Sequence, residues 1–199
     1  MKYVGLDIHK KFIYGIIKDK EGNVLTENKF DSSKEQINKF LNNSSPVETQ
    51  IVMESTGVWE WIYEFLEEQK YNVILANPVR TKAIASAKVK TDKVDASILS
   101  DLLRANLIAQ SYVPPKEIRI MRQLVRQRKT LVKGRTQISN RIHALLAQRG
   151  INFPWATLCK KALIWLQELS KEHILLKSYL HLRDEYIQEI KKLNYEIFD

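Results

Sequence analysis

Pro114-Pro115 divides this chain, because the sequence that follows keeps helical periodicity for about 34 residues, up to Arg149. Proline lacks an amide donor and clashes with a preceding helical turn, so the pair stops any element that reaches it. A helix of that length is too long for a small core to absorb and needs a partner along its side. Leu124, Leu131, Ile138 and Leu145 stand seven apart and are flanked by Val125, Val132, Ile142 and Leu146, which makes a coiled-coil-like seam. Gly150 and Pro154 break the pattern. Two further helical stretches, about Trp155 to Leu169 and Tyr179 to Phe198, are expected to fold back as a hairpin or to join a second copy. Residues 116–199 are therefore read as a helical coiled-coil arm, and a homo-oligomer built through it is expected.

Before the prolines the pattern changes to short strands. Tyr3 to Ile8, Phe12 to Ile17 and Val24 to Phe30 alternate or run apolar, with Lys18 to Asn23 turning the second into the third. Ser32 and Ser33 can cap a helix carrying Ile37, Phe40 and Leu41. A strand Thr49 to Met53, a helix Val58 to Gln69 and a strand Tyr71 to Leu75 follow. Asn77-Pro78 has the form of an N-cap with proline at the first helical position, and a helix is expected from about Val94 to Ala105. Three meander strands followed by helix-linked parallel strands predict an α/β fold with a ribonuclease-H-like mixed sheet over residues 1–113.

Within this domain the carboxylates stand out. Asp7 interrupts an apolar strand, where an uncompensated carboxylate costs several kcal/mol if fully buried; it shares a strand face with Tyr3, Gly5 and His9. Glu54 closes the strand Ile51-Val52-Met53, at the carboxyl edge where open α/β sheets place their sites. Asp92 and Asp95 stand three apart, hence on one face if helical. Taken singly, the last two fit the positive end of a helix, and Glu54 fits a cap. Together, four converging acids raise one another's pKa unless a cation neutralises them. All-oxygen ligation favours Mg²⁺ or Mn²⁺. Asp101 and Glu60 are read as solvated helix charges. Ser55 and Ser97, beside the acids, are read as capping or surface residues. The four histidines lack the close pairing of a zinc motif and are read as ordinary.

The formal charge of +9 is regional. Residues 1–78 hold 9 basic and 12 acidic side chains (net −3), residues 79–149 hold 16 and 4 (net +12), and residues 150–199 hold 7 of each. Two basic sets follow: Arg80, Lys82, Lys88, Lys90 and Lys93 near the acids, and Arg122, Arg126, Arg128, Lys129, Lys133, Arg135 and Arg141 on the long helix. With few acids interleaved, they are expected to bind nucleic-acid phosphates. A single cysteine, Cys159, excludes an internal disulfide and suits a reducing cytoplasm. No apolar run approaches the ~18 residues of a membrane span.

Gly5-Leu6-Asp7-Ile8-His9-Lys10, Met53-Glu54-Ser55-Thr56-Gly57 and Lys90-Thr91-Asp92 through Asp95-Ala96, in this order, resemble the motifs of the DEDD transposases of insertion sequences, a family that includes Piv-type DNA invertases and bridge-RNA-guided recombinases. The resemblance extends over essentially the whole chain. It implies that Asp7, Glu54, Asp92 and Asp95 are the catalytic, metal-binding acids of a RuvC-like domain, with DNA as substrate and a structured guide RNA as a further partner. It also implies a C-terminal domain bearing a nucleophilic serine. No such segment lies within these 199 residues, so a fragment or a natural truncation is expected. Two rival readings of the same residues are a self-sufficient structure-specific nuclease of the Holliday-junction resolvase kind and a non-catalytic nucleic-acid-binding module.

Overall fold

Val4, Leu6 and Ile8 alternate with Tyr3, Gly5 and Asp7, and this two-residue period sends the aliphatic set to one face of a sheet and the others to the opposite face. The computed structural model describes residues 1–55, 57–85 and 91–198. The chain divides into two compact units, Met1–Val113 and Pro114–Asp199.

In the first unit, β1 (Lys2–Ile8), β2 (Phe12–Lys18) and β3 (Val24–Asp31) form an antiparallel meander, and β4 (Thr49–Glu54) and β5 (Asn72–Ala76) lie parallel to β1, giving the order β3-β2-β1-β4-β5. This is the expected α/β, ribonuclease-H-like mixed sheet. The connections to β4 and β5 are α1 (Lys34–Leu41) and α2 (Trp59–Glu68). The Ser33 hydroxyl caps α1 by accepting from the Gln36 amide at 3.3 Å. Ile37 and Leu41 of α1 and Ile62, Phe65 and Leu66 of α2 share one core with Val4, Leu6, Ile8, Ile51 and Met53.

On the sheet's other face lies α4 (Asp92–Arg104), which follows the short helix α3 (Pro78–Ile84). Its Leu99 and Leu103 pack with Val52 and Ala76. Gly5 makes this packing close: a Cβ there would stand 2.1 Å from the Ala96 carbonyl oxygen and 2.8 Å from the Ser100 nitrogen, both backbone atoms. Two polar ties hold the helix in register. The Ser100 hydroxyl donates to the Tyr3 carbonyl at 2.9 Å. Lys18, 5% exposed, donates its ammonium to Ser97 Oγ at 2.8 Å and Asp101 Oδ2 at 2.7 Å. Asp101 is therefore not merely a solvated helix charge: it is the counter-ion of a buried lysine, and Ser97 accepts from the same ammonium.

In the second unit, α5 (Lys116–Gln148), α6 (Lys160–Leu169) and α7 (Ile174–Phe198) are all helical. Arg128 donates to Asn194, and Gly134 lies against the Tyr186 ring, so α7 runs back along α5 in the opposite direction. Ile138, Ile142, Leu145 and Leu146 of the predicted seam are buried with Leu166, Leu176 and Leu180, whereas Val125 is 48% exposed. The helix expected from Trp155 begins at Lys160 instead. Trp155 lies in the preceding segment and packs its ring against Phe153 and Trp165, at centroid distances of 5.5 and 5.6 Å.

Gly5→Ala should lower the thermal midpoint by more than about 5 °C, because overpacking against a backbone carbonyl has no side chain to give way. Gly57, whose added Cβ would meet nothing within 4 Å, is the control, and Gly57→Ala should leave the midpoint nearly unchanged. Circular-dichroism melting of both variants makes the comparison.

Candidate metal centre

The strand register brings the first two acids together. β1 and β4 are parallel neighbours with Leu6 opposite Met53, and the next residue on each strand is an acid, Asp7 and Glu54. From above the sheet comes the N-terminus of α4. It starts at Asp92, two residues earlier than expected, because the Thr91 side chain caps it by accepting from the Val94 amide at 3.2 Å. Asp92 and Asp95 thus both occupy its first turn.

Asp7, Ile8, His9, Lys10, Glu54, Gly57, Val58, Thr91, Asp92 and Asp95 line one cleft of about 610 Å³. Carboxylate oxygens of Asp7 and Asp92 and a ring nitrogen of His9 all lie within 4.8 Å of one another. Glu54 and Asp95 line the same cleft outside that closest triad. All four predicted acids therefore reach one place. His9, read from sequence as ordinary, sits at its centre: its Nε2 is 3.0 Å from Asp7 Oδ2 and 3.4 Å from Asp92 Oδ1. Its ring is stacked on Phe12 at 4.4 Å. The signal available in the sequence was the strand period that placed His9 on Asp7's face.

Electrostatics follow from this crowding. Burial pushes the Asp7 carboxyl above its ordinary pKa; the hydrogen bond and charge of His9 pull it down, and the negative charges of Asp92 and Asp95 push it up again. Lys29 Nζ stands 3.7 Å from the other Asp92 oxygen, Oδ2. Beside the cleft, Glu27 joins the β2–β3 hairpin to α4: Lys93 Nζ lies 2.7 Å from its Oε1, and the Tyr14 hydroxyl donates to the same oxygen. That bond holds the Tyr14 phenol up at about 12, and Lys93 and Tyr14 together hold the Glu27 carboxyl down.

Of the predicted phosphate-binding residues, Arg80 and Lys82 are exposed on α3, and Lys93 is exposed but already paired with Glu27. Lys88 and Lys90 lie outside the described residues. On α5, Arg122, Arg126, Lys129, Lys133 and Arg141 are exposed, whereas Arg128 and Arg135 are partly buried, Arg128 through its bond to Asn194. No helix among the described residues is long and apolar enough to cross a membrane.

Compared with known proteins, residues 4–150 match the DEDD family of IS110, whose description is transposase. The chain is 24% identical over 200 residues to the transposase for insertion sequence element IS1328 of Yersinia enterocolitica, covering 98% of this chain and 58% of that protein. It is 27% identical over 191 residues to the transposase for insertion sequence element IS1533 of Leptospira borgpetersenii, covering 94% of this chain and 53% of that protein. The chain thus spans a little over half the length of these relatives.

The raised pKa of Asp7 fixes the sign of a pH effect. Between the unfolded and folded pKa the native state binds more protons, so this group's contribution to stability is full below the unfolded value and is lost as pH rises through the folded one. Asp7→Asn, neutral at every pH, should therefore melt no lower than the wild type in metal-free buffer at neutral pH. Its lead should vanish as pH falls below the ordinary carboxylate range. Chelator-treated samples melted across a pH series provide the check.

Proposed function

We propose, from the premise that this chain belongs to the IS110-type DEDD transposase family, that residues 1–113 are the metal-dependent, RuvC-like part of an insertion-sequence transposase that cleaves and exchanges DNA strands. The observation that carries this reading is the convergence of Asp7 and Asp92 from a strand end and a helix start, with Glu54 and Asp95 lining the same cleft. In this reading residues 116–199 form an arm that binds nucleic acid and joins copies of the protein.

The donor set fits a hard divalent cation. Carboxylate oxygens predominate, which favours Mg²⁺ or Mn²⁺ over softer ions. The packed negative charges around Asp7 are what such an ion would relieve. Asp7, Glu54, Asp92 and Asp95 would hold it, with His9 fixing the orientation of the Asp7 carboxylate through its Nε2. When bound, such an ion supplies Lewis-acid stabilisation of the charge that builds on the oxygens of a phosphodiester under attack. The role of this chain's own residues is to gather ligands at the carboxyl edge of β1 and β4 and to aim the start of α4 at them.

DNA is the substrate in this reading, and a structured guide RNA is a second polyanion that the arm could carry. Arg122, Arg126, Lys129, Lys133 and Arg141 support an electrostatic grip, since α5 contains Glu117 as its one acid. Half-exposed apolar residues toward the start of α5, Ile118, Ile120 and Val125, support assembly through the arm.

Calorimetric titration of Mn²⁺ into the wild-type chain should give saturable binding that Asp7→Asn and Asp92→Asn each abolish without loss of the folded circular-dichroism spectrum. Mn²⁺ binding retained in both variants would sink the carboxylate assignment. Affinity for duplex DNA and for RNA should fall steeply as salt rises, and each phosphate-contacting residue neutralised on α5 should reduce the log–log slope by about one. Metal-dependent cutting of branched DNA by these 199 residues alone would favour the self-sufficient nuclease instead.

A further inference from the structure

Two nitrogen-bearing side chains already stand against Asp92, one at each carboxylate oxygen. His9 Nε2 lies 3.4 Å from Oδ1, and Lys29 Nζ lies 3.7 Å from Oδ2. The ring of Phe12 organises both: His9 stacks on it at 4.4 Å, and the Lys29 ammonium sits 3.6 Å from its centroid, a cation–π position. Lys29 comes from β3, the edge of the sheet, opposite Tyr14 of β2, and its side chain is 53% exposed. Its pairing with Asp92 at 3.7 Å is looser than that of Lys93, which Glu27 holds at 2.7 Å.

We propose that Lys29 is an exchange cation of this site: it neutralises Asp92 while the acids are without metal, is displaced when a divalent ion takes that carboxylate, and then contacts an anionic oxygen of the phosphodiester entering the cleft. This rests on the carboxylate reading above. The reasoning is electrostatic. An ammonium within 4 Å of Asp92 Oδ2 and a divalent cation ligated by the same carboxylate repel each other, so binding of one weakens the other. Once displaced, Lys29 remains tethered at the cleft mouth on a flexible four-carbon stem, and the incoming backbone carries the complementary charge. Its neighbour on the ladder, Tyr14, is already committed to Glu27.

The test uses the full chain with Mn²⁺ as the probe. Lys29→Met keeps the length of the stem over Phe12 and removes the charge; it should tighten Mn²⁺ binding about three- to tenfold at fixed ionic strength. Lys29→Arg, which restores the charge, should return the affinity to near the wild-type value. Lys20→Met, far along the hairpin beside Glu21, controls for net charge and should change it less than twofold. With Mn²⁺ saturating, Lys29→Met should also lower the slope of log affinity against log salt for a duplex DNA oligonucleotide by about one. Unchanged or weaker Mn²⁺ binding by Lys29→Met, while Asp7→Asn abolishes it, would overturn the exchange and leave the carboxylate site standing. An absence of Mn²⁺ binding by the wild type would overturn both.

Discussion

The close seat of α4 on β1 is the contact from which the site follows. Three levels of that interface are in step: Asp7 and His9 meet Asp92 at one end, Gly5 meets Ala96 in the middle, and the Tyr3 carbonyl accepts from Ser100 at the other. Successive levels are four residues apart on the helix and two on the strand. Four helical residues rise about 6 Å and two strand residues about 6.6 Å, so the two elements keep pace over two turns. Because the elements run in opposite directions, the start of the helix is delivered to the end of the strand. A side chain at residue 5 would lift α4 off the sheet and carry Asp92 and Asp95 away from Asp7.

Placing acids there creates a charge problem, and the surrounding residues answer it locally. Burial and the neighbouring carboxylates raise the pKa of Asp7, and His9 opposes that rise. Lys29 stands by Asp92, while Lys93 is turned outward to Glu27. Farther along the helix, buried Lys18 and half-exposed Asp101 form an ion pair between β2 and α4. Such a pair adds little net stability, yet removing Asp101 would take a charged partner from a buried ammonium. Its effect is to specify where α4 sits. Docking and electrostatics are thus coupled: the ties that align the helix also set how many charges face the cleft.

Much of this was legible from the sequence, for identifiable reasons. The two-residue period in Tyr3 to Ile8 gave both the strand and the face on which Asp7 lies, and the Asn77-Pro78 and Ser33 caps are where pattern and side-chain chemistry agree. The start of α4 was placed two residues late because a periodicity argument starts from its first apolar residue, Val94, whereas the helix is begun by the polar cap Thr91. Trp155 was drawn into α6 for a related reason: its spacing to later apolar residues imitates a helix, although it is partly buried by tertiary contact with Phe153 and Trp165. Lys29 and Asp101 were missed as partners because their roles depend on contacts between residues far apart in sequence, such as Lys18 with Asp101, which no local spacing encodes. His9 was missed because it was weighed only against the paired spacing of a zinc motif, although the strand period puts it on Asp7's face.

The same distinction between paired and unpaired charge bears on how the proposed reading divides its work. Residues 1–78 carry a net −3, and a cleft lined by four acids repels a polyanion at close range. Several lysines of this unit already have partners: Lys18 has Asp101, Lys93 has Glu27 and Lys29 has Asp92. On α5 the balance is reversed, with basic residues exposed along a helix that holds Glu117 alone among acids. Attraction for phosphate is additive over unpaired cations and is screened by salt over about 10 Å at 0.1 M, whereas metal ligation acts only at contact distance. Long-range capture of nucleic acid would therefore draw chiefly on the second unit and on Arg80 and Lys82 of α3. In that reading the acids would act only after a strand has been brought close enough for neutralisation at the cleft to outweigh their repulsion.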